Sequence, residues 1–128
     1  MKITLNNGTI LNPIMVVGEN ATVQGAYREV LSFVFPETES MSELDAAFSA
    51  ENCKSISIED GDNGYIHTGY TIRAGLEKKP VEVAPATDTE PAVTENRIFV
   101  KMAQRTYAET QMADLQETVD LLVLDSLS

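Results

Sequence analysis

Alternating apolar and polar residues predict extended structure along most of the chain. Leu31, Phe33 and Phe35 carry the largest side chains of one segment, and the period-two spacing places them on a single face of a strand. Pro36 ends this strand because a proline has no N–H to donate to a ladder. The same alternation recurs in three further segments, at residues 55–58, 70–76 and 97–103.

Turn residues separate the predicted strands. Asn6–Thr9 contains an Asn-Gly step, which accepts positive φ, and therefore predicts a first hairpin. Gly18–Asn20 predicts a second turn, between strands at residues 14–17 and 21–24. Asp60–Gly64 holds an Asp-Gly and an Asn-Gly dipeptide between two alternating segments, so it predicts the tip of another hairpin.

The period changes from two to that of a helix after residue 40. Ser40 and Glu43 have the spacing of a capping box, and Leu44 and Phe48 then fall on one helical stripe. These residues predict one short helix, at about residues 42–50, packed on the sheet. The predicted fold class is therefore α+β and β-rich, with an antiparallel, sandwich-like body, this short helix and a second helix at the C-terminus.

Residues 80–96, PVEVAPATDTEPAVTEN, differ in composition from the segments around them. Three prolines preset extended backbone, and the carboxylates repel one another. The segment predicts an exposed, polyproline-like loop within a β-rich body that spans residues 1–106.

Residues 107–128 form the second predicted unit, a C-terminal amphipathic helix. Its apolar residues recur with 4-3-4-3 spacing, which is an a/d seam. The seam consists of Ala108, Met112, Leu115, Val119 and Leu122. Its outer face is acidic, and no Lys or Arg follows Arg105 to balance that charge.

Two arrangements of this helix remain open from the sequence. An isolated helix of this length is marginal in water, so it must pack on something. It either folds back on its own sheet or associates with copies of itself or with a helix of a partner. The acidic flank favours a partner with basic residues, or a wide trimer whose charges point outward.

The charge balance excludes two classes of partner. Twenty acidic residues against nine basic ones give a formal net charge of −11. Nucleic-acid binders and proteins that bind anionic membranes use clusters of Lys and Arg, and the sequence has none. Residues 1–4 lead directly into a strand pattern without an apolar signal segment, so we expect no signal peptide.

The acidic hairpin tip does not fit a calcium loop of the EF-hand type. Asp60 and Asp62 suit the first and third ligand positions. The fifth, sixth and twelfth positions, however, hold Gly64, Tyr65 and Thr71. A weak ion site within residues 59–62 remains open.

The sequence offers no active-site constellation. His67 has no second histidine or cysteine near it in the sequence, so we interpret it as an ordinary sheet residue. Cys53 is the single cysteine and lacks a base and an orienting group, so we interpret it as a small buried apolar residue. No phosphate-binding glycine motif is present. We therefore expect no catalysis, no cofactor, no metal and no small-molecule substrate.

The chain resembles small accessory proteins of bacteriophage tails. The segments that carry the resemblance are VQGAYREVLSFVFP, MSELDAAFSAENCKSISI and GYTIRAGLEKKPVEV, followed by the Pro/Thr segment and a strand that runs into a short heptad helix. Such proteins are encoded near tail-fibre and baseplate genes in phages and prophages of gut Firmicutes. The resemblance implies an oligomeric structural part of the tail tip, with other tail proteins as partners and without catalytic residues.

Two functional hypotheses follow. In the first, the protein is a non-enzymatic component of a phage tail or baseplate, made in the bacterial cytoplasm and located in the virion, with the C-terminal helix mediating oligomerisation or attachment. In the second, it is a binding module whose loops at 60–64 and 80–96 contact a ligand or protein of the host surface.

Overall fold

Two antiparallel sheets form the body of the protein. The computed structural model describes residues 1–112 and 115–116. Its elements are β1 (Lys2–Thr4), β2 (Ile10–Leu11), β3 (Met15–Val23), β4 (Ala26–Pro36), α1 (Met41–Ala47), β5 (Ser55–Asp60), β6 (Asn63–Thr68), β7 (Ile72–Ala84) and β8 (Val93–Ala103). Sheet 1 has the order β2-β1-β5-β6 and sheet 2 the order β3-β4-β8-β7. The predicted β-rich, sandwich-like α+β body is confirmed.

The core lies between the two sheets and beneath α1. Sheet 2 contributes alternate residues of β4 and β8, and sheet 1 contributes Ile3 of β1 and alternate residues of β5. The central members are Ile3, Leu31, Phe33, Phe35, Ile56, Ile58, Ile98, Val100 and Met102. The Phe48 ring lies 4.9 Å from that of Phe33 and 5.9 Å from that of Phe35, so the end of α1 is fixed to β4.

Helix α1 begins where the capping pattern predicts. The Ser40 side chain accepts a hydrogen bond from the backbone N–H of Glu43 at 3.3 Å. The helix ends at Ala47, earlier than predicted. Arg73 of β7 donates to the backbone carbonyls of Asp45 (3.1 Å) and Phe48 (3.0 Å), which satisfies acceptors that the helix end leaves free.

The hairpins agree with the sequence at two places and differ at one. The turn between β1 and β2 and the turn between β5 and β6 are confirmed. The predicted turn at Gly18–Asn20 is wrong, because these residues lie inside β3, which pairs with β4 over nine consecutive residues. The chain turns instead at Gln24 (φ 48°) and Gly25 (φ 77°), the two positive values of a type I′ turn.

The predicted loop at 80–96 is wrong at both ends. β7 runs to Ala84 and β8 starts at Val93, so only residues 85–92 lie outside the strands. Pro80 is tolerated because β7 is an edge strand, where a missing N–H need not interrupt a ladder on both sides. The β4–β8 pairing stops at Pro36 and Arg97, so residues 80–96 form a two-stranded arm.

Candidate functional site: the base of the C-terminal helix

A reciprocal cap starts the C-terminal helix. The described helical residues are 107–112 and 115–116. The backbone N–H of Thr106 donates to Glu109 Oε1 at 2.9 Å, and the backbone N–H of Glu109 donates to Thr106 Oγ1 at 3.2 Å. This is a capping box, which satisfies two N–H groups that the first turn leaves without helical partners.

A buried arginine joins this cap to sheet 2. The Arg28 side chain, on β4, is only 2% exposed. Its guanidinium contacts the Glu109 carboxylate through two parallel pairs of atoms, Nη1 with Oε1 and Nη2 with Oε2, the second at 3.0 Å. Its Nε donates to the Val23 carbonyl at 2.7 Å, and Nη1 also reaches the Gln104 carbonyl at 3.3 Å. Such fork-to-fork pairing fixes orientation as well as distance.

The pair holds both groups in their charged forms. The hydrogen bond from Arg28, followed by the backbone hydrogen bond from Thr106, lowers the pKa of Glu109 to about 2 from its ordinary value of 4.5. The hydrogen bond to Glu109 likewise raises the pKa of Arg28. The ion pair therefore persists across the physiological pH range.

Hydrogen bonds to the body also hold Gln104 and Arg105, two of the three residues between β8 and the helix. The N–H of Gln104 donates to the Glu29 carbonyl at 2.8 Å, and the N–H of Arg105 donates to the Gly69 carbonyl at 2.9 Å. The Gln104 side chain donates to the Thr68 carbonyl at 3.1 Å. The helix therefore leaves the body at a defined point and in a defined direction.

The described part of the predicted seam lies in solvent. Ala108 is exposed, Met112 is 69% exposed and Leu115 is 61% exposed. Packing of these three residues on the protein's own sheets is thus not seen. Val119 and Leu122 lie outside the described residues, and the full five-residue seam stays a prediction.

Cys53 and His67, the two residues considered for chemistry, make packing contacts within the body. Cys53 is fully buried, as predicted, and burial raises its pKa to about 11, which suppresses the reactive thiolate. His67 packs edge-on against Tyr70, with ring centroids 5.6 Å apart. The Tyr70 hydroxyl donates to Glu29 Oε2 at 2.9 Å, and burial with this contact raises the Tyr70 pKa to about 12.

Within residues 1–112 and 115–116, no group of three or more His, Cys, Asp or Glu side chains could hold a metal ion. In the same part of the chain, no helix is long and apolar enough to cross a membrane.

The residues that anchor the helix are not among those predicted from the sequence. The Thr106-x-x-Glu109 spacing is a capping-box signal that could have been found. Arg28 carries no such signal, because it lies 81 residues from Glu109 in the sequence and only the fold brings the two together. Comparison with protein-family models, with curated proteins and with solved structures finds no match.

Proposed function

We propose that this protein is a non-enzymatic structural component of a larger assembly of the phage tail or baseplate kind, and that its C-terminal helix joins copies of the chain. One observation carries the proposal. Hydrogen bonds and an ion pair hold the base of the helix to the body, while the described seam residues Ala108, Met112 and Leu115 are exposed.

An exposed apolar stripe on an anchored helix supports association. Burying a Leu or Met side chain contributes about 1.5–3 kcal/mol, and a helix gains most of its stability from packing its apolar face. Because Arg28 and Thr106 set the direction of the helix, every copy presents Met112 and Leu115 in the same way. Identical presentation is what a symmetric assembly requires.

The acidic flank is compatible with this association when the acidic faces of the helices point outward, away from one another. The charged side chains then stay in water, where salt screens their repulsion. The resemblance to accessory proteins of phage tails supports the assembly as a tail tip or baseplate, and hence a location in the virion.

A charge placed in the seam tests the proposal in the full-length protein. Met112→Asp and Leu115→Asp should each lower the native mass measured by light scattering, because association would bury an unpaired carboxylate. Thr110→Asp is the matched control, since Thr110 is exposed and lies on the opposite side of the helix. Equal native masses for the seam variants and the wild type would contradict the proposal.

The exposed hairpin tips support a second candidate, a module that binds a host surface. Residues 61–64 and 85–92 are exposed and are presented by paired strands. A screen against host glycans and surface proteins would favour this candidate if binding were retained by Leu115→Asp and lost when residues 85–92 were shortened. Absence of any binding would leave the structural role.

A further inference from the structure

The two edges of sheet 2 differ in how they are protected from pairing with another strand. The β7 edge carries Lys78, Lys79 and Pro80, and its ladder is interrupted by two register shifts. Lysine, proline and bulges are the usual means of blocking an edge. β3 has none of them, since it holds neither Lys nor Pro and pairs with β4 in unbroken register.

The β3 edge is also uncovered by the described part of the chain. Met15 and Val17, on the outer face of sheet 2, are 44% and 46% exposed. The residues from Gly18 to Asn20 are exposed too. A long, exposed, regular edge with apolar residues is a template for a further strand.

An open cleft lies beneath β3, between the two sheets. Val16 and Gly18 face inward, because they pair with the core residues Phe33 and Leu31. Together with Tyr65 and His67 of β6 and other neighbours, Val16 and Gly18 line a cavity of about 390 Å³. A Cβ atom added to Gly18 would meet no atom within 4 Å, so the space above this glycine is empty of protein.

We propose that β3 pairs in antiparallel orientation with β3 of a second copy, about a two-fold axis at Val17. In this register Val16 of each chain lies opposite Gly18 of the other, on the inner face. The valine side chain then occupies the open space over the glycine, and the relation holds in both directions. Glycine inside a strand often marks a place where another backbone approaches closely.

Charge favours a second copy at this edge over most other surfaces of the molecule. Each chain carries a net charge of −11, so two copies repel each other. Glu19 is the single charged residue of β3, and it forms an ion pair with Lys101 at 3.7 Å. In the proposed register Glu19 lies opposite Met15 of the second copy, so no two carboxylates face each other across the ladder.

This interface is separate from the helix seam and does not rest on the proposed function. Strand pairing at β3 would join sheet 2 of one copy to sheet 2 of the other, which makes one eight-stranded sheet. A chain with both contacts has two different surfaces for association, and this allows an assembly to grow beyond a single closed oligomer.

A disulfide at the two-fold axis tests the register. Full-length Val17→Cys should form a disulfide-linked dimer on mild oxidation, because directly opposed residues of antiparallel strands have Cα atoms about 4.5–5.5 Å apart, within disulfide range. Cys53 does not compete, since it is buried. Thr22→Cys is the control, because the two Thr22 residues would lie about 34 Å apart at about 3.4 Å per residue. No dimer, or equal dimer from both variants, would overturn the proposal.

A lysine at the same position tests the interface without a covalent bond. Val17→Lys should lower the native mass relative to the wild type, whereas Val93→Lys, at a residue of similar exposure (50%) on the arm, should leave it unchanged. If Val17→Lys left both the native mass and the far-ultraviolet circular dichroism spectrum unchanged, the proposed β3 interface would be overturned. Combining Val17→Cys with Leu115→Asp separates the two interfaces, because the disulfide dimer should persist even if the helix seam plays no part.

Discussion

At the scale of single residues, Arg28 determines how the C-terminal helix is attached. A buried guanidinium needs partners, since removal from water disfavours a charge that is not paired and hydrogen-bonded. Arg28 obtains them from Glu109 and from the carbonyls of Val23 and Gln104. The same contacts that satisfy the charge therefore tie the first helical turn to β4.

The Glu109 carboxylate makes the helix attachment dependent on pH. Its pKa is lower in the folded protein, about 2, than its ordinary value of 4.5. Its stabilising contribution is therefore complete above about pH 4.5 and is lost as the pH falls toward about 2. Glu109→Gln should unfold at a lower temperature than the wild type near neutral pH, and the gap should close toward about pH 2. Circular dichroism melts across this range measure the gap. A constant gap would contradict the account.

The aromatic contact between α1 and β4 dominates the local packing. Phe48 is 1% exposed and touches both Phe33 and Phe35. Phe48→Ala should lower the free energy of unfolding by about 3–5 kcal/mol, measured by urea denaturation. Tyr27→Ala, at a residue that is 72% exposed, should change it by less than about 0.5 kcal/mol. Similar losses of unfolding free energy for both variants would show that Phe48 is not part of the core.

Among the elements, the turn between β3 and β4 sets the length of the β3 edge and the register of β3 with β4. Gln24 adopts φ 48°, which an L-residue without a short polar side chain disfavours. Gln24→Asn would give the Asn-Gly pair preferred in type I′ turns and should raise the free energy of unfolding by about 0.5–1 kcal/mol. Gly25→Ala should lower it, and chemical denaturation measures both. A stabilised Gly25→Ala would refute the turn assignment.

Local patterns predicted the elements whose signals are local. The capping spacing of Ser40 and Glu43 located α1, and the alternation at Leu31–Phe35 located β4. β3 was divided in error, because Gly18 and Asn20 resemble a turn until a nine-residue partner strand is known. Pairing is a property of two segments, and one segment alone does not show it.

The arm and the helix anchor were missed for the same reason. Pro80 argues for a loop unless its strand is known to be an edge, and edge position depends on the order of strands in the sheet. Arg28 and Glu109 likewise meet only when β4 and the end of β8 are neighbours. Of the candidate site, the sequence predicted a helix that starts at Tyr107, but not the contacts that hold its first turn.

In the whole molecule, a buried core is combined with apolar surfaces that are exposed to solvent. The two sheets and α1 bury the single cysteine and four aromatic residues, Phe33, Phe35, Phe48 and Tyr70. Ala108, Met112 and Leu115, the described residues of the helix seam, and the β3 edge are exposed on the outside of this core. Our proposals place the association of this strongly acidic chain at these two apolar surfaces.

The native mass of the full-length protein, measured by light scattering at neutral pH over a range of concentrations, decides whether the chain associates with copies of itself. A subunit has a mass of 14.0 kDa. We predict a homo-oligomer whose mass is a multiple of this value and falls when Leu115 is replaced by Asp. A mass of 14.0 kDa at every concentration would contradict it.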